Sequence, residues 1–240
     1  MASATYWFRC GPSEAMGHRL TLTAKGLMGL AWALILWATA MGMARADGMQ
    51  ALQDFLQHNR SGRADFVQKV TAPPREGQTP RVKTSRGSLA YQRPDQFRLD
   101  YTSPDEQTLL ADGRQFWHLD IDLRQVTVRP QKSTLAQAPA ALVLTAGDLR
   151  ELQSAFDLRA LPDADGLFWV EVIPRSSEGT LRQLRVGLRG QGTQAQVVRL
   201  EFTDGFGQSS RLELSGFVGG PPPASTFVLK PPAGFQVLRP

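Results

Sequence analysis

Histidines and carboxylates are the side chains most able to do chemistry here, and they are thinly spread. His118 lies in Phe116-Trp117-His118-Leu119-Asp120, with Asp122 just beyond, and His58 is far away in the chain. An imidazole beside two carboxylates could begin a metal site, but such sites need further ligands at workable spacing. Strand alternation instead makes His118 part of a polar strand face. Asp105 and Glu106, like Asp120 and Asp122, are carboxylate pairs in turn-forming stretches, where hydration accounts for them. No glycine-rich phosphate loop follows a strand and opens a helix. No G-x-S-x-G elbow is present, and nothing in the sequence gathers a Ser, a His and an Asp into a triad. The residues therefore point to no catalytic site, no metal and no cofactor. Arg93 is a different kind of candidate. It stands beside Pro94, next to an alternating apolar run. A guanidinium offers five donors and no acceptor, so it can hold backbone carbonyls. By pattern alone it reads first as an exposed arginine at a strand end.

The elements that must position these residues are mostly strands. Gly87 to Val128 reads as a meander: Ser88–Arg93, Gln96–Thr102, Gln107–Leu110, Gln115–Asp120 and Gln125–Val128. Asp112-Gly113 is a strong hairpin signal. Phe97, Leu99 and Tyr101 share one face by period two, with Arg98 and Asp100 on the other. Before the meander, Gly48–Asn59 places Met49, Leu52, Phe55 and Leu56 at helical spacing, and Arg63–Thr71 reads as a first strand. After it, Ser133-Thr134 can cap a short helix, Ala140–Leu144 is a small-plus-aliphatic patch, and Asp148 can cap another turn. Strands resume at Ala155–Leu161, Leu167–Ile173, Leu181–Leu188, Val197–Thr203 and Ser209–Leu214, with Phe227–Val237 as a final edge. Regular spacing with turn chemistry at each gap indicates an antiparallel sheet or barrel. The helical patches Met49–Leu56 and Leu135–Leu144 flank the sheet and could cover its concave face.

The N-terminus has its own logic. Arg19 and Lys25 precede the uncharged run Gly26–Met43, and Ala44-Arg45-Ala46 follows. Positive region, apolar region and small-residue site together read as a secretory signal peptide over residues 1–46, with Met16 as an alternative start. Residues 47–240 are then a single domain. Of 27 basic and 22 acidic residues, four basic and one acidic lie in the leader, so the exported part carries a net charge of only +2. No basic cluster interleaves with aromatics, which argues against nucleic acid as a partner. The one cysteine, Cys10, is also in the leader, so the exported domain has no disulfide, no thiol nucleophile and no lipidated cysteine.

Taken in order, these features resemble the periplasmic outer-membrane lipoprotein carrier family, LolA. Ala64-Asp65-Phe66-Val67-Gln68-Lys69-Val70 is similar to the family's A-x-F-x-Q-x-V strand. Gly87-Ser88-Leu89, Arg93-Pro94-x-x-Phe97, Tyr101-Thr102-Ser103-Pro104-Asp105-Glu106 and Asp112-Gly113-Arg114-x-Phe116-Trp117 follow. Pro139–Leu144 fits the lid segment, and Phe227-Val228-Leu229-Lys230-Pro231-Pro232-x-Gly234 resembles the family's close.

The resemblance implies an incompletely closed antiparallel β-barrel covered by a lid of short α-helices. It implies an acyl-chain cavity, expected to be lined by Phe66, Phe97, Leu99, Tyr101, Trp117, Leu142, Val143 and Leu144, and makes Arg93 the lid latch. The implied function is that of a periplasmic, non-enzymatic carrier. It would receive lipoproteins from an inner-membrane lipoprotein-releasing ABC transporter and deliver them, as a monomer, to the outer-membrane receptor LolB. A periplasmic lipoprotein-sensing or regulatory domain of the same fold is the alternative; a secreted hydrolase and a purely structural β domain are more remote.

Overall fold

Alternating apolar and polar residues between short polar turns fold here into one twelve-stranded sheet. The computed structural model describes residues 47–240 apart from 75, 76, 78, 136–138 and 177–179. The expected leader and the alternative start lie outside the described residues. The chain opens with helix α1 (Asp47–His58) and continues through β1 (Ser61–Thr71), β2 (Val82–Gln92), β3 (Gln96–Ser103), β4 (Gln107–Asp112), β5 (Gln115–Asp120) and β6 (Gln125–Pro130). Three short helices follow: α2 (Gln131–Leu135), α3 (Pro139–Thr145) and α4 (Leu149–Ala155). Then come β7 (Phe156–Ala164), β8 (Leu167–Pro174), β9 (Leu181–Arg189), β10 (Gln196–Asp204), β11 (Ser209–Gly219) and β12 (Gln236–Leu238).

The strand order is β12-β6-β5-β4-β3-β2-β1-β11-β10-β9-β8-β7. The pairings are antiparallel except that β12 joins β6 in parallel. β1 bridges the two meanders by pairing with both β2 and β11. The two outermost strands, β7 and β12, do not pair with each other, so the barrel stays open, as the family resemblance implied.

Local chemistry sets the turns. Between β7 and β8, Asp165 and Gly166 both take positive φ, 56° and 69°, the pair of left-handed residues that a tight hairpin needs. At the β4–β5 hairpin, Asp112 accepts the backbone N–H groups of Arg114 and Gln115 at 2.8 and 2.7 Å. Its carboxylate also accepts the Trp117 indole N–H at 2.9 Å. These bonds hold its pKa below the usual carboxylate value despite partial burial. Asp148 caps α4 as expected, accepting the Glu151 N–H at 2.8 Å.

One core fills the concave side. α1 lies against β7, β8 and β9, and α3 lies against β2, β3 and β9. Ala51, Leu52, Phe55 and Leu56 form the buried stripe of α1, the spacing of one helical face. Ala141, Val143 and Leu144 do the same for α3. They meet Phe66, Leu89, Phe97, Leu99, Val170, Val186 and Leu200 from the strands. Among the described residues no helix is long and apolar enough to cross a membrane.

Candidate functional site

The backbone of an α-helix leaves its last four carbonyls without intrahelical partners, and these carry partial negative charge. α1 and α3 bring two such ends to Arg93. Arg93 Nε donates to the Leu144 carbonyl of α3 at 2.9 Å. Its Nη1 donates to the Leu56 carbonyl of α1 at 2.9 Å and, at 3.4 Å, to that of Phe55. The Arg93 backbone N–H donates to the Arg60 carbonyl at 2.8 Å. Its guanidinium carbon lies 4.5 Å from the Phe55 ring centre and 5.6 Å from that of Tyr91, within cation–π range. Arg93 is only 6% exposed, contrary to the exposed strand-end reading of its pattern. One cation thus bridges two helix ends across the apolar core. Its Nη2 is buried and has no hydrogen-bond partner.

Burial pulls the Arg93 guanidinium down to about 10, against a favourable contribution from Tyr91, so it remains charged at neutral pH. Burial also holds the Tyr91 hydroxyl up to about 12, and it donates to the Asn59 carbonyl at 3.4 Å.

The two helices are anchored differently. α1 is tied to the β9–β10 connection by buried polar side chains. Asp54 accepts the Gly192 N–H at 2.7 Å, and Asn59 Nδ2 donates to the Ala195 carbonyl at 2.6 Å. α3 hangs from the β2–β3 turn. The Asp95 N–H reaches the Thr145 carbonyl at 3.4 Å, a long bond. Asp95 itself has φ 68°. Gln131 holds that turn by donating to the Asp95 carbonyl at 2.7 Å while accepting the Gly113 N–H at 2.9 Å.

Most of the residues expected to line a cavity meet on this inner face. Phe97 is 1% exposed, and Phe66, Leu99, Val143 and Leu144 are also buried. Leu142 and Tyr101 are partly buried against the same cluster. Phe66 and Tyr101 meet edge to face at 4.9 Å over Gly87, the residue that pairs with both. A Cβ on Gly87 would fall 1.9 Å from the Asp100 carbonyl oxygen and 2.8 Å from the Phe66 ring. The Tyr101 hydroxyl donates to Gln68 at 2.8 Å.

Trp117 departs from the expectation. It packs on the opposite side of the sheet with Ala90, Leu110, Phe227 and Leu229. There it borders a groove of about 350 Å³ with Gln96, Asp112, Arg114 and Val228. The inner position on β5 belongs to Phe116, whose ring centre is 6.1 Å from that of Phe97. The reason is parity. Ala111 pairs with Phe116 across the two-residue loop Gly113-Arg114. Such a loop joins residues whose numbers differ by an odd count, so odd positions on β4 share a face with even ones on β5. Counting across Asp112-Gly113 would have selected Phe116. The residues expected to line a cavity left out Tyr91, while Leu52 and Ala141, in the two helical patches expected over the sheet, are buried in the same core.

His118 sits half-buried, its Nε2 3.0 Å from the Gln107 side-chain oxygen. Burial lowers its pKa. Among the described residues no cluster of three or more His, Cys, Asp or Glu could hold a metal.

Arg93 thus joins the ends of α1 and α3 over an apolar face. The chain is similar to known proteins. The family described as outer membrane lipoprotein carrier protein LolA matches residues 57–230. An outer-membrane lipoprotein carrier protein of Albidiferax ferrireducens is 46% identical over 209 residues, covering 87% of this chain and 98% of that protein. A protein of the same description from Leptothrix cholodnii is 46% identical, covering 86% and 93%. Among solved structures, a LolA superfamily protein from Nitrosomonas europaea aligns with a TM-score of 0.44 at 12% identity, over 77% of this chain and 98% of that one.

Proposed function

The chain belongs to the LolA family of outer-membrane lipoprotein carriers, and from that premise we propose how its geometry performs the carrying. It is a chaperone, not an enzyme: it binds and hands over, and no bond is made or broken. In the periplasm it takes lipoproteins from an inner-membrane ABC transporter that releases them. It shields their acyl chains on the inner face of the sheet and delivers them, as a monomer, to the outer-membrane receptor.

The observation that carries this reading is the buried Arg93 joining the ends of α1 and α3 over that face. Each buried CH₂ of an acyl chain is worth roughly 0.8 kcal/mol, so a long chain in water costs about 10 kcal/mol or more. A rigid open pocket recovering all of that would not let go. Here the strand face is already covered by Val143, Leu144, Leu52 and Phe55. Cargo must displace part of that cover, and the cover returns on release. The net affinity is the difference between two apolar burials, which suits hand-over. α3 is the part suited to move, because it has the weaker anchors, while Asp54 and Asn59 hold α1 to the sheet.

The test is a transfer assay. Purified protein is added to inner-membrane vesicles bearing the transporter and a labelled lipoprotein. A carrier yields a soluble one-to-one complex, which then passes its cargo to membranes bearing the receptor. A sensing domain would load without passing the cargo on. No soluble complex would refute both.

A further inference from the structure

We propose, resting on the carrier reading, that Arg93 also recognises the linkage of the cargo: its Nε and Nη2 edge donates to an acyl-ester carbonyl oxygen at the head of a bound chain. A guanidinium has five N–H donors. In the closed form Nη1 serves α1 and Nε serves Leu144 of α3. Nη2 serves nothing, although it is fully buried. A buried donor without an acceptor is unfavourable and is seldom kept in a folded protein.

Nε–H and Nη2–H lie parallel on one edge of the guanidinium plane, a fork suited to oxygen acceptors. With α3 closed, half of this fork is filled by the Leu144 carbonyl. When α3 withdraws, that carbonyl leaves and the whole edge is free. Nη1 keeps its hold on α1, which Asp54 and Asn59 anchor. A replacement acceptor must come from the occupant, since the hydrocarbon has none. The neighbouring groups do not compete: the Tyr91 hydroxyl is directed to Asn59, and Glu151 accepts the Gly147 N–H at 2.6 Å. Arg93 is the one buried cation among the described residues, while Phe97, Leu99 and Val143 around the inner face offer no polar group. The arginine therefore supplies the polar fix that sets how deep a chain enters.

An acyl ester occurs both in a diacylglyceryl lipopeptide and in a diacyl phospholipid. The experiment measures binding of a synthetic diacylglyceryl-cysteine lipopeptide and of its dialkyl-ether counterpart, with an ester and ether phospholipid pair of the same chain lengths. For the lipopeptide pair, the wild-type protein should favour ester over ether by about tenfold, the worth of one hydrogen bond to a charged donor. In Arg93→Leu the ratio should fall to about one, whatever the absolute affinities. Arg93→Lys, which keeps the charge but not the fork, should give a reduced ratio; circular dichroism checks that both variants fold. The same ratio for the phospholipid pair would support an ester site open to any acylglycerol, and preference for the lipopeptide alone would support one matched to lipoprotein. A wild-type ratio near one, or a ratio preserved in Arg93→Leu, would overturn the ester contact while leaving the carrier reading intact. Binding of neither lipopeptide would overturn the carrier reading itself.

Discussion

Replacing Phe97 by alanine separates a ring that is ordinary core from one that keeps a place for cargo. Phe97 is 1% exposed and pairs with Tyr91 on one side and Ala111 on the other. Its ring faces Phe116 at 6.1 Å. Truncating a buried phenylalanine costs about 3–5 kcal/mol, part of it lost transfer energy and part the cavity left behind. For the empty protein we expect that full penalty in urea or guanidinium denaturation. In the loaded protein the reasoning differs. On the proposed carrier mechanism hydrocarbon then lies on the inner face, and a bound chain can fill the space the ring vacates. About three CH₂ groups at 0.8 kcal/mol each recover roughly 2.4 kcal/mol. The penalty of Phe97→Ala measured with saturating lipopeptide should therefore shrink by about 2 kcal/mol. By linkage the variant should bind cargo about thirtyfold more tightly. Its hand-over should slow accordingly, because the closed empty form no longer competes as well. The assay is paired denaturation curves with and without lipopeptide, with a binding isotherm for each protein. An equal penalty in both conditions would refute the reasoning and return Phe97 to ordinary core.

Three further outcomes follow from the same geometry. Trp117→Ala should leave lipopeptide affinity unchanged in a binding titration yet lower stability by about 2–3 kcal/mol, because the indole packs on the outer face and loses its Asp112 bond; a large loss of affinity would return Trp117 to the inner face. Gly87→Ala should destabilise by about 3 kcal/mol, and thermal unfolding should fall by roughly 10 °C. Its Cβ meets a backbone carbonyl that no side-chain rotation can move. Alkaline titration should show stability falling between pH 10 and 12. Folding holds the Tyr91 and Tyr101 hydroxyls protonated up to about 12, so the unfolded chain releases two protons that the folded one keeps. Arg93, pulled down to about 10, works the other way with one proton. The net of one gives a slope of about 1.4 kcal/mol per pH unit, and a rise in stability over that range would contradict it.

Much of this was legible in the chain. Alternation in Phe97-Arg98-Leu99-Asp100-Tyr101 fixes which of those side chains share a face, and the observed face is the buried one. Asp148 announces its helix because a short acceptor at that position satisfies an orphan N–H. Other features are decided by pairing, which no single strand carries. Phe116 and Trp117 are both large and aromatic, and only the register through Gly113-Arg114 tells which turns inward. The pattern around Arg93 suits an exposed strand end. Its burial comes from α1 and α3, whose ends converge there through contacts distant in the chain. The family resemblance singled out Arg93; local spacing did not. The unpaired Nη2 has no counterpart in sequence at all, since it is a remainder left after the other donors are spent.

The open barrel also bears on how the protein behaves among its own copies. An uncovered strand edge is a template for another chain, and proteins that keep one risk growing into ribbons. The three-residue β12 lies along β6 and occupies what would be the free side of the larger meander. At the other end, β7 carries Asp157, Arg159, Pro162 and Asp163 along the exposed edge, with Asp157 paired to Arg175 at 2.8 Å. Proline lacks the donor a new strand would need, and charges make its approach costly. The barrel keeps a gap between β7 and β12, while its two margins are blunted against the edge-to-edge growth that such a gap would otherwise invite.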